Sequence, residues 1–542
     1  MAYRLQIVTI RCTKKRIGQQ PALFYYTDNH AFVNISRLPT AGTNPSLQKI
    51  GNIGITLPDG EPRTFTALLF ISMFDLELSY TILLIICLVA AFGFEFVNGF
   101  HDTANAVATV IYTNSLKPWI AVVWSGICNA IGVFVGGITV AMGIVNLLPV
   151  ESLVDQNIAH SLAMVMALLL SAIFWNLLTW YFGIPCSSSH TLIGSILGVG
   201  LAYSLLPDAN EAAVNWSKAQ EIGASLLISP LFGFSLTIIF MFLLRNLTKN
   251  TEAGDGLFKE PKKNQPPPWW IRIILISTCT AVSGFHGSND GQKGVGLVML
   301  ILIGIVPAYF ALNPSFNPSG LDAPLSKIEV TLSNFNSNPL ALSDKVKLDS
   351  ARVMTARLRA HIGGITTVSS IEPQERFLIR KDIMLLNNHI KALSVNNDLE
   401  ISEAERKSLS NNMKAVRKFT DYSPRWVIVM IAISLGLGTM VGWKRIVKTI
   451  GEKIGKEHLT YAQGASAELV ASTTIGLSTA FGLPVSTTHV LSSGIAGSMV
   501  ASKGIKNLQP DTVRNILIAW LLTLPVVMVM AATLFLIFRS TF

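Results

Sequence analysis

The feature that most constrains the fold of this chain is a series of apolar segments, each close to the length that crosses a lipid bilayer. A transmembrane helix needs about 20 mostly apolar residues. About ten or eleven such segments occur, at residues 79–99, 118–146, 159–181, 184–206, 222–244, 268–284, 293–313, 424–443, 462–482, 484–502 and 512–538. They predict an all-α polytopic membrane protein, because a helix satisfies its own backbone hydrogen bonds in lipid.

Composition and charge exclude other classes of protein. Half of the 542 residues are hydrophobic and only 14% are charged, a balance that a water-soluble core does not require. The net charge of +10 does not indicate nucleic-acid binding, because the Lys and Arg residues lie between the apolar segments, as in cytoplasmic loops. The five cysteines form no CxxC pair, so neither a disulfide framework nor a zinc site is indicated.

Two short motifs each occur twice. The segment GFHDTAN at 99–105 recurs loosely as FHGSNDGQK at 285–293. The segment GIPCSSSHT at 183–191 recurs more clearly as GLPVSTTHV at 482–490. The duplication predicts two related halves, each carrying one acidic motif and one hydroxyl-rich motif.

The spacing between the motifs identifies an insert in the second half. Asp102 and His190 are 88 residues apart, whereas Asp290 and His489 are 199 residues apart. The polar stretch 313–423 is 111 residues long, which equals the difference. It is rich in charge, Asn and Ser, so we expect a soluble loop domain there.

The charges of equivalent loops predict the orientation of the halves. Loop 145–159 carries only acidic charge, while its counterpart 444–458 is rich in Lys and Arg. The loops 207–221 and 503–514 differ in the same way. Because basic loops favour the cytoplasm, equivalent loops are expected to face opposite sides, as in inverted-topology repeats.

These observations predict six regions of the chain. Residues 1–72 are polar and turn-rich, and we expect a poorly ordered N-terminal extension whose place in the native protein is left open. The other regions are a first transmembrane repeat at 73–245, a cytoplasmic linker at 246–267, the start of the second repeat at 268–312, an extracytoplasmic loop insert at 313–423 and the remainder of the second repeat at 424–542.

The acidic motifs place ionisable groups inside apolar segments. A central Asp or Lys costs about 2.5 to 3.5 kcal/mol on insertion scales, so each is a candidate for function. Asp102 and Asp290 occupy equivalent positions, each three residues before Asn105 or Lys293. Several glycines nearby disfavour a continuous helix, so we expect broken helices or re-entrant hairpins at the centre (Gly99, Gly284, Gly287, Gly291, Gly294).

The hydroxyl-rich motifs favour the binding of a small oxyanion. Each follows a Gly-x-Pro break, so its hydroxyls should lie at the start of a helix, where anions bind. A tetrahedral anion is suited to several neutral donors that converge from two sides. The predicted substrate-binding residues are Asp102, Asn105, Ser187, Ser188, Ser189, Asn289, Asp290, Lys293, Ser486, Thr487 and Thr488.

Two aspartates beside an anion imply that a cation takes part. Like charges about 4 Å apart repel by roughly 4 kcal/mol at an effective dielectric of 20, and a cation or a proton removes this repulsion. The candidates for cation coupling are Glu95, Asn98, Asp102, Asp290, Glu468, His190 and His489. The alternatives are structural: Ser and Thr that bond to backbone carbonyls, and buried neutral Glu. For the histidines of the four motifs, a helix cap or a bond to a carbonyl is weighed equally with contact to a proton or to phosphate (His101, His190, His286, His489).

The four motif segments resemble the Pit family of inorganic phosphate transporters, from about Met73 to the C-terminus. The resemblance implies two inverted repeats, a phosphate site formed by both halves, and alternating access driven by a cation gradient. It places Asp102, Asn105, Asp290 and the two hydroxyl clusters at that site. Sodium-coupled members carry Asn where this chain has Lys293, so the resemblance favours proton coupling with a metal-phosphate substrate.

The expected function is import of inorganic phosphate by cation symport in the inner (plasma) membrane, with arsenate as a competitor. Sodium coupling, or another oxyanion such as sulfate, remains an alternative. We expect no enzyme, since an intramembrane serine hydrolase needs one unique nucleophile and the hydroxyls are duplicated. No cofactor and no fixed metal site are expected; the coupling cation is a proton or sodium, and a divalent metal can travel with phosphate. Expected partners are phosphate and the lipid bilayer, with a homodimer left open.

Overall fold

The computed structural model describes residues 13–17, 20–26, 32–34, 54–56, 62–64, 76–148, 158–207, 214–262, 265–335, 341–396 and 401–541. The chain separates into two units, Met1–Ile85 and Ile86–Phe542. In the first unit, the described residues before 65 form five short antiparallel strands, β1 (Thr13–Ile17), β2 (Gln20–Tyr26), β3 (Phe32–Asn34), β4 (Gly54–Thr56) and β5 (Pro62–Thr64). These strands were not expected; the rest of the predicted extension 1–72 lies outside the described residues.

From residue 78 onward the described chain is helical, as the apolar segments predict. The first half contains α1 (Leu78–Tyr112), α2 (Pro118–Val135), α3 (Thr139–Val145), α4 (Ile158–Tyr181), α5 (Ser188–Ser204), α6 (Trp216–Leu247) and α7 (Glu252–Leu257). The second half begins with α8 (Trp269–Ile305) and a short α9 (Pro307–Phe310).

The insert contributes a 3₁₀ turn at Pro318–Leu321 followed by α10 (Asp322–Ser333), α11 (Leu342–Ile362), a 3₁₀ turn at Val368–Ser370, α12 (Pro373–Val395) and α13 (Glu403–Arg417). The second half then resumes with α14 (Arg425–Thr439), α15 (Lys444–Lys448), a π-helical turn at Thr449–Lys453, α16 (Tyr461–Ala480), α17 (Thr487–Lys503), a 3₁₀ turn at Ile505–Asn507 and α18 (Pro510–Thr541).

Both acidic motifs lie inside continuous helices, which corrects the prediction of breaks at these points. Helix α1 runs 35 residues through Asp102, and α8 runs 37 residues through Asp290. The predicted segments 268–284 and 293–313 are therefore largely one helix. Four of the five glycines, all except Gly284, lie at close helix contacts instead of breaks: a Cβ on Gly287 would overlap the backbone carbonyl of Asn129 on α2.

The hydroxyl-rich motifs behave as predicted, since each begins a helix. Six residues separate the end of α4 from the start of α5, and six separate α16 from α17. In each case the two helices pack against each other as a hairpin. The turn contains a glycine with positive φ, Gly183 or Gly482, where a side chain would be strained.

Helices of one half pack against helices of the other. Helix α2 packs on α8, and α1 approaches α14 where Gly99 faces the carbonyl of Leu435. Helix α5 packs on α18, and α17 packs on α6. The exchange is matched in detail, because Gly198 on α5 faces the backbone of Met528 and its counterpart Gly497 on α17 faces the backbone of Phe234. This arrangement brings the duplicated motifs to one place.

The insert has a hydrophobic core of its own, formed by residues from α10 to α13. Its two ends are joined at the base, because the Asn313 amide donates to the Phe419 carbonyl at 2.8 Å. The buried Arg380 guanidinium also donates to the carbonyls of Ala311 and Thr420, at 3.2 and 2.8 Å. The insert is thus a compact helical unit with adjacent ends, and its location outside the cell stays a prediction.

Five of the described helices are long and apolar enough to cross a membrane, namely α1, α2, α4, α6 and α18. A sixth is obtained if α14 and Lys444–Lys453, bent by 54° to each other, count as one span. This is fewer than the ten or eleven segments expected. The reason is that α5 and α17 have only 17 residues each, while α8 carries the polar motif in its middle.

Candidate functional site

Four helices bring the duplicated motifs together in the interior. Helices α1 and α8 supply the acidic motifs from their middle turns, and α5 and α17 supply hydroxyls from their first turns. Every predicted site residue is buried, and none is more than 6% exposed. Polar side chains so deeply buried need partners, and the hydrogen bonds between the helices provide most of them.

The carboxylate of Asp102 is the centre of one group of contacts. Its Oδ1 accepts hydrogen bonds from Thr488 Oγ1 and, at 3.2 Å, from Asn105 Nδ2. Its Oδ2 accepts a hydrogen bond from Ser188 Oγ at 3.2 Å. Asn105 Nδ2 also donates to Thr488 Oγ1 at 3.0 Å. One aspartate therefore receives hydroxyls from the first turns of both α5 and α17.

The ammonium group of Lys293 is the centre of a second group of contacts. It donates to Asp290 Oδ1 at 2.6 Å, to Ser189 Oγ at 2.5 Å and to the Val485 carbonyl at 2.7 Å. A lysine has three N–H donors, so all three are used. Ser189 Oγ in turn donates to the Val485 carbonyl at 3.0 Å. The ammonium thus neutralises Asp290 and joins the starts of the two hydroxyl-bearing helices.

The two groups of contacts correspond to each other under the repeat. Asn105 matches Lys293 in the acidic motifs, and Thr488 matches Ser189 in the hydroxyl-rich motifs. In each group the residue of the acidic motif contacts the hydroxyl contributed by the other half. The halves therefore complete each other's site, and the contact with Lys293 is the charged version of the contact with Asn105.

The other members of the hydroxyl-rich motifs have local contacts. Ser187 and Ser486 are N-cap residues, and their hydroxyls accept the backbone amides of His190 and His489 at 3.1 Å. Thr487 is 2% exposed and begins α17 beside them. These contacts explain why Ser or Thr is needed at the first of the three positions independently of any ligand.

The two motif histidines lie side by side instead of facing the aspartates. Their rings are 4.5 Å apart, and the His489 ring stacks on Trp520 at 3.9 Å. His190 Nδ1 lies 2.8 Å from Ser187 Oγ. Within the described residues neither forms an ion pair with Asp102 or Asp290, so no direct contact with these aspartates supports their suggested part in cation coupling.

Glu95 and Glu468 are completely buried, each with one partnered and one unpartnered oxygen among the described residues. Glu95 Oε2 accepts from Asn98 Nδ2 at 3.2 Å, and Glu468 Oε2 accepts from Thr278 Oγ1 at 2.5 Å. Glu95 also lies next to α8, where a Cβ on Gly294 would be 2.5 Å from its carboxyl carbon. Glu95 and Asn98 thus border the acidic motif of α8, while Glu468 lies on α16.

Asn289 holds the second turn segment against α8. Its Nδ2 donates to Thr479 Oγ1 at 2.9 Å and to the Leu483 carbonyl at 3.2 Å. Its Oδ1 accepts the Val485 amide at 3.4 Å. Asn289 therefore positions the segment before α17, and its amide group is largely occupied by that structural role.

The sequence left the role of His286 open between a structural contact and contact with a proton or phosphate, and it did not single out Asn129, the partner of His286. His286 Nε2 lies 3.6 Å from Asp102 Oδ2 and 3.4 Å from Asp290 Oδ2. On its other side, His286 Nδ1 lies 2.9 Å from Asn129 Oδ1, and Asn129 Nδ2 donates to Thr439 Oγ1 at 2.9 Å. Asn129 could have been found as a lone amide within an apolar segment.

Three of these side chains could hold a metal ion. Asp102, His286 and Asp290 each offer one ligand atom, and these atoms lie within 4.8 Å of one another. The carboxylates come from the two acidic motifs, and the imidazole lies one helical turn before Asp290. The sequence had indicated no fixed metal site, because only the folded chain brings the two motifs into contact.

Comparisons with known proteins identify the relatives of this chain. The sequence pattern of the phosphate transporter family matches residues 98–531. Among the relatives is the low-affinity inorganic phosphate transporter PitB of Escherichia coli strain K12, 39% identical over 493 residues and covering 85% of this chain and 97% of the relative. The low-affinity inorganic phosphate transporter of Buchnera aphidicola from Acyrthosiphon pisum is 38% identical over 479 residues, with the same coverage of 85% and 97%.

A solved structure entitled "The sodium-dependent phosphate transporter" is similar over 85% of this chain and 100% of its own, with 20% sequence identity and a TM-score of 0.49. The family assignment does not depend on it. It follows from the match over 434 of the 542 residues, counted from 98 to 531, and from relatives covered almost end to end. The chain belongs to the phosphate transporter family.

Proposed function

We propose that this protein imports inorganic phosphate across the inner membrane by cation symport, with a proton as the coupling cation. The substrate lies where the first turns of α5 and α17 meet the acidic motifs of α1 and α8. The relatives are named as low-affinity inorganic phosphate transporters, which supports the substrate class. The two halves act as inverted repeats around this site, as the charges of their loops suggest.

One observation carries the proposal: hydroxyls from two helix N-termini converge on a buried carboxylate. Ser188 and Thr488, from different halves, both donate to Asp102. Helix N-termini favour negative charge, and each of these helices adds hydroxyl donors to its own dipole. Phosphate accepts hydrogen bonds through several oxygens, so donors on opposite sides suit it.

The same donors cannot serve Asp102 and phosphate together, and this competition provides a reason for coupling. A hydroxyl has one hydrogen to donate. Those of Ser188 and Thr488 are given to Asp102 in the described state. A proton or metal cation bound to Asp102 weakens the hydrogen bonds that it accepts from these hydroxyls. It also removes the repulsion between the Asp102 carboxylate and the anion. Cation binding therefore precedes or accompanies phosphate binding.

Lys293 is the reason to favour a proton over sodium. Its ammonium contacts Asp290 at 2.6 Å and the Val485 carbonyl at 2.7 Å, oxygen ligands of the kind that a sodium ion would also use. A fixed positive charge there reduces the need for a bound cation at Asp290. Sodium coupling is the alternative, and it would require a site elsewhere, such as the region of Glu95 and Asn98.

Sulfate is the alternative oxyanion, and the carboxylates argue against it. An ionised carboxylate only accepts hydrogen bonds. Phosphate near neutral pH carries an O–H group that can donate to Asp102 or Asp290, whereas sulfate carries none. Arsenate has the shape and the protons of phosphate, so it should compete.

Burial of the site implies that access requires movement. Asp102 and Asp290 are at most 2% exposed, so the described state is closed around them. Transport by alternating access needs the closed site to open to one side at a time. The α4–α5 and α16–α17 hairpins are the natural moving parts, because they contact the acidic motifs across the boundary between the halves.

The test is uptake of radioactive phosphate into proteoliposomes that contain the purified chain. A proton gradient directed into the vesicles should drive accumulation of phosphate without sodium. In a separate counterflow experiment, excess arsenate should block the exchange of radioactive phosphate, and excess sulfate should leave it unchanged. Uptake that requires sodium and ignores the pH gradient would establish the sodium alternative. Counterflow blocked equally by sulfate would refute the preference for phosphate.

A further inference from the structure

A cavity of about 190 Å³ lies where the ends of α6, α16 and α17 pack against one another. This volume is well above the about 10 to 15 Å³ that admits one water molecule, so a small charged group fits. None of the residues that line it belongs to the four duplicated motifs. The cavity is therefore separate from the site of the proposed transport.

Three basic or titratable side chains from separate parts of the chain line this cavity. Arg245 lies in the last turn of α6, His458 precedes α16, and Lys503 ends α17. Each lies within or next to a segment rich in Lys and Arg, which predicts the cytoplasmic side of the membrane. The folded chain thus collects positive charge from three such segments at one place.

The cavity carries one net positive charge and unused hydrogen-bond donors. Lys503 Nζ contacts Glu457 Oε1 at 2.6 Å, which occupies one of its three N–H groups. Among the described residues, the side chains of Arg245 and His458 have no hydrogen bond or ion pair. With His458 neutral, the two cations Arg245 and Lys503 exceed the single anion Glu457 by one charge. An anion with one negative charge would balance the group.

The polar floor of the cavity is held by hydrogen bonds within the protein. Gln463 is 4% exposed, and its Oε1 accepts the Thr460 amide at 2.8 Å. Its Nε2 donates to Ser502 Oγ at 2.9 Å, and Ser502 Oγ donates to the Ser498 carbonyl at 3.0 Å. The floor is thus formed before any ligand binds, while the charged donors of Arg245 and Lys503 stay available.

Apolar side chains continue from the cavity along the outside of α6. Met241 and Phe242 line the cavity, and Phe242 is 56% exposed. Leu243 and Leu247, in the last turns of the same helix, are 52% and 70% exposed. Because α6 is long and apolar enough to cross a membrane, its exposed side chains are expected to contact the acyl chains of the bilayer. The charged cavity thus adjoins a surface for the tails of a lipid.

We propose that this cavity binds the phosphodiester headgroup of an anionic phospholipid, with the acyl chains along α6. The guanidinium of Arg245 suits a phosphate group because its N–H donors form a planar fork. A phosphodiester carries one negative charge, which balances the cavity, whereas a phosphate monoester carries about −1.5 to −2. Basic pockets between transmembrane helices on the cytoplasmic side bind lipid headgroups in this way. The proposal goes beyond phosphate transport and does not depend on it.

The experiment is native mass spectrometry of the full chain in detergent, titrated with phosphatidylglycerol or with phosphatidylcholine. We expect one saturable phosphatidylglycerol per chain and much weaker binding of the zwitterionic lipid. Arg245→Gln should weaken binding of phosphatidylglycerol about fivefold, because a basic side chain near an anionic headgroup contributes about 1 kcal/mol and 1.4 kcal/mol is tenfold. Lys506→Gln is the matched control, since Lys506 is exposed on the same loop as Lys503 but does not line the cavity, and it should match the wild type.

The unaltered chain decides the question even where a variant folds poorly. Equal binding of the two lipids would overturn the inference, because the charge of the cavity would then play no part. Displacement of phosphatidylglycerol by excess inorganic phosphate would also overturn it, in favour of a site for free phosphate. Lys506→Gln that weakens binding as much as Arg245→Gln would show that the lipid responds to the whole basic face and not to the cavity.

Discussion

Replacement of Lys293 by Met should test the electrostatics of the site most directly. The ammonium is buried and gives all three hydrogens to Asp290, Ser189 and the Val485 carbonyl. Methionine has similar length but no charge and no donor. The substitution therefore removes the ammonium counter-charge from a buried carboxylate whose Oδ2 has no hydrogen-bond partner among the described residues.

The magnitude follows from the cost of an isolated buried charge. Breaking a buried ion pair by removing one partner costs about 3 to 5 kcal/mol. The double variant Lys293→Met with Asp290→Asn also removes the buried negative charge. Its loss in free energy of unfolding should then come mainly from missing hydrogen bonds and amount to about 1 to 3 kcal/mol in total. The second substitution should therefore recover about 2 kcal/mol of the free energy of unfolding, within these ranges.

The assay is unfolding by SDS in mixed micelles, followed by a thiol-reactive fluorescent dye. The dye reports unfolding because four cysteines are buried (Cys87, Cys128, Cys186, Cys279). A Cys12→Ser background removes the thiol outside the described residues. Lys503→Met is the matched control, because Lys503 pairs with Glu457 at the surface, and exposed pairs contribute about 0 to 1 kcal/mol.

Two results would refute the reasoning. Lys293→Met could prove no more destabilising than Lys503→Met, which would mean that Asp290 does not depend on the ammonium. Alternatively, the loss in free energy of unfolding of the double variant could equal the sum of the losses of the two single variants, which would mean that Lys293 and Asp290 are not energetically coupled.

Three further predictions concern the remaining contacts. Asp102→Asn should abolish phosphate uptake in proteoliposomes while the amount of inserted protein is unchanged; retained uptake would contradict its role. Gly294→Ala should lower both uptake and the SDS midpoint, because its Cβ would meet the carboxyl carbon of Glu95 at 2.5 Å, whereas Gly223→Ala, with open space around it, should behave as the wild type. Thr488→Val keeps the shape of the side chain and removes its hydroxyl. It should raise the phosphate KM about tenfold or more, because a hydrogen bond to a charged group contributes about 1.5 to 3 kcal/mol. An unchanged KM would exclude this hydroxyl from the site.

The duplicated motifs made the candidate site predictable from the sequence. Asp102 and Asp290 could be paired by position, and the offset between His190 and His489 matched the hydroxyl clusters. What the motifs could not show was which contacts cross between the halves. The contact of Asn105 with Thr488, 383 positions away, depends on packing between helices, and no local pattern encodes it.

The prediction of broken helices at the aspartates was wrong for a physical reason. Glycine is less favourable than Ala in a helix by about 1 kcal/mol, so a cluster of glycines predicts a break in the helix. In the folded chain the missing Cβ atoms allow α8 to approach α2 and Glu95 closely. Propensity is a local property, whereas close packing between helices is decided by both partners.

The amino-acid sequence by itself determined that the chain is a helical membrane protein, and it pointed to most of the candidate site residues, because the length of apolar segments, charge within them and repetition are all properties of a linear pattern. Tertiary structure alone decided that each hydroxyl cluster contacts the acidic motif of the other half, and that His286 points Nε2 at two aspartates. Those decisions depend on distances between atoms far apart in the chain, which are set only when the helices of both halves pack together.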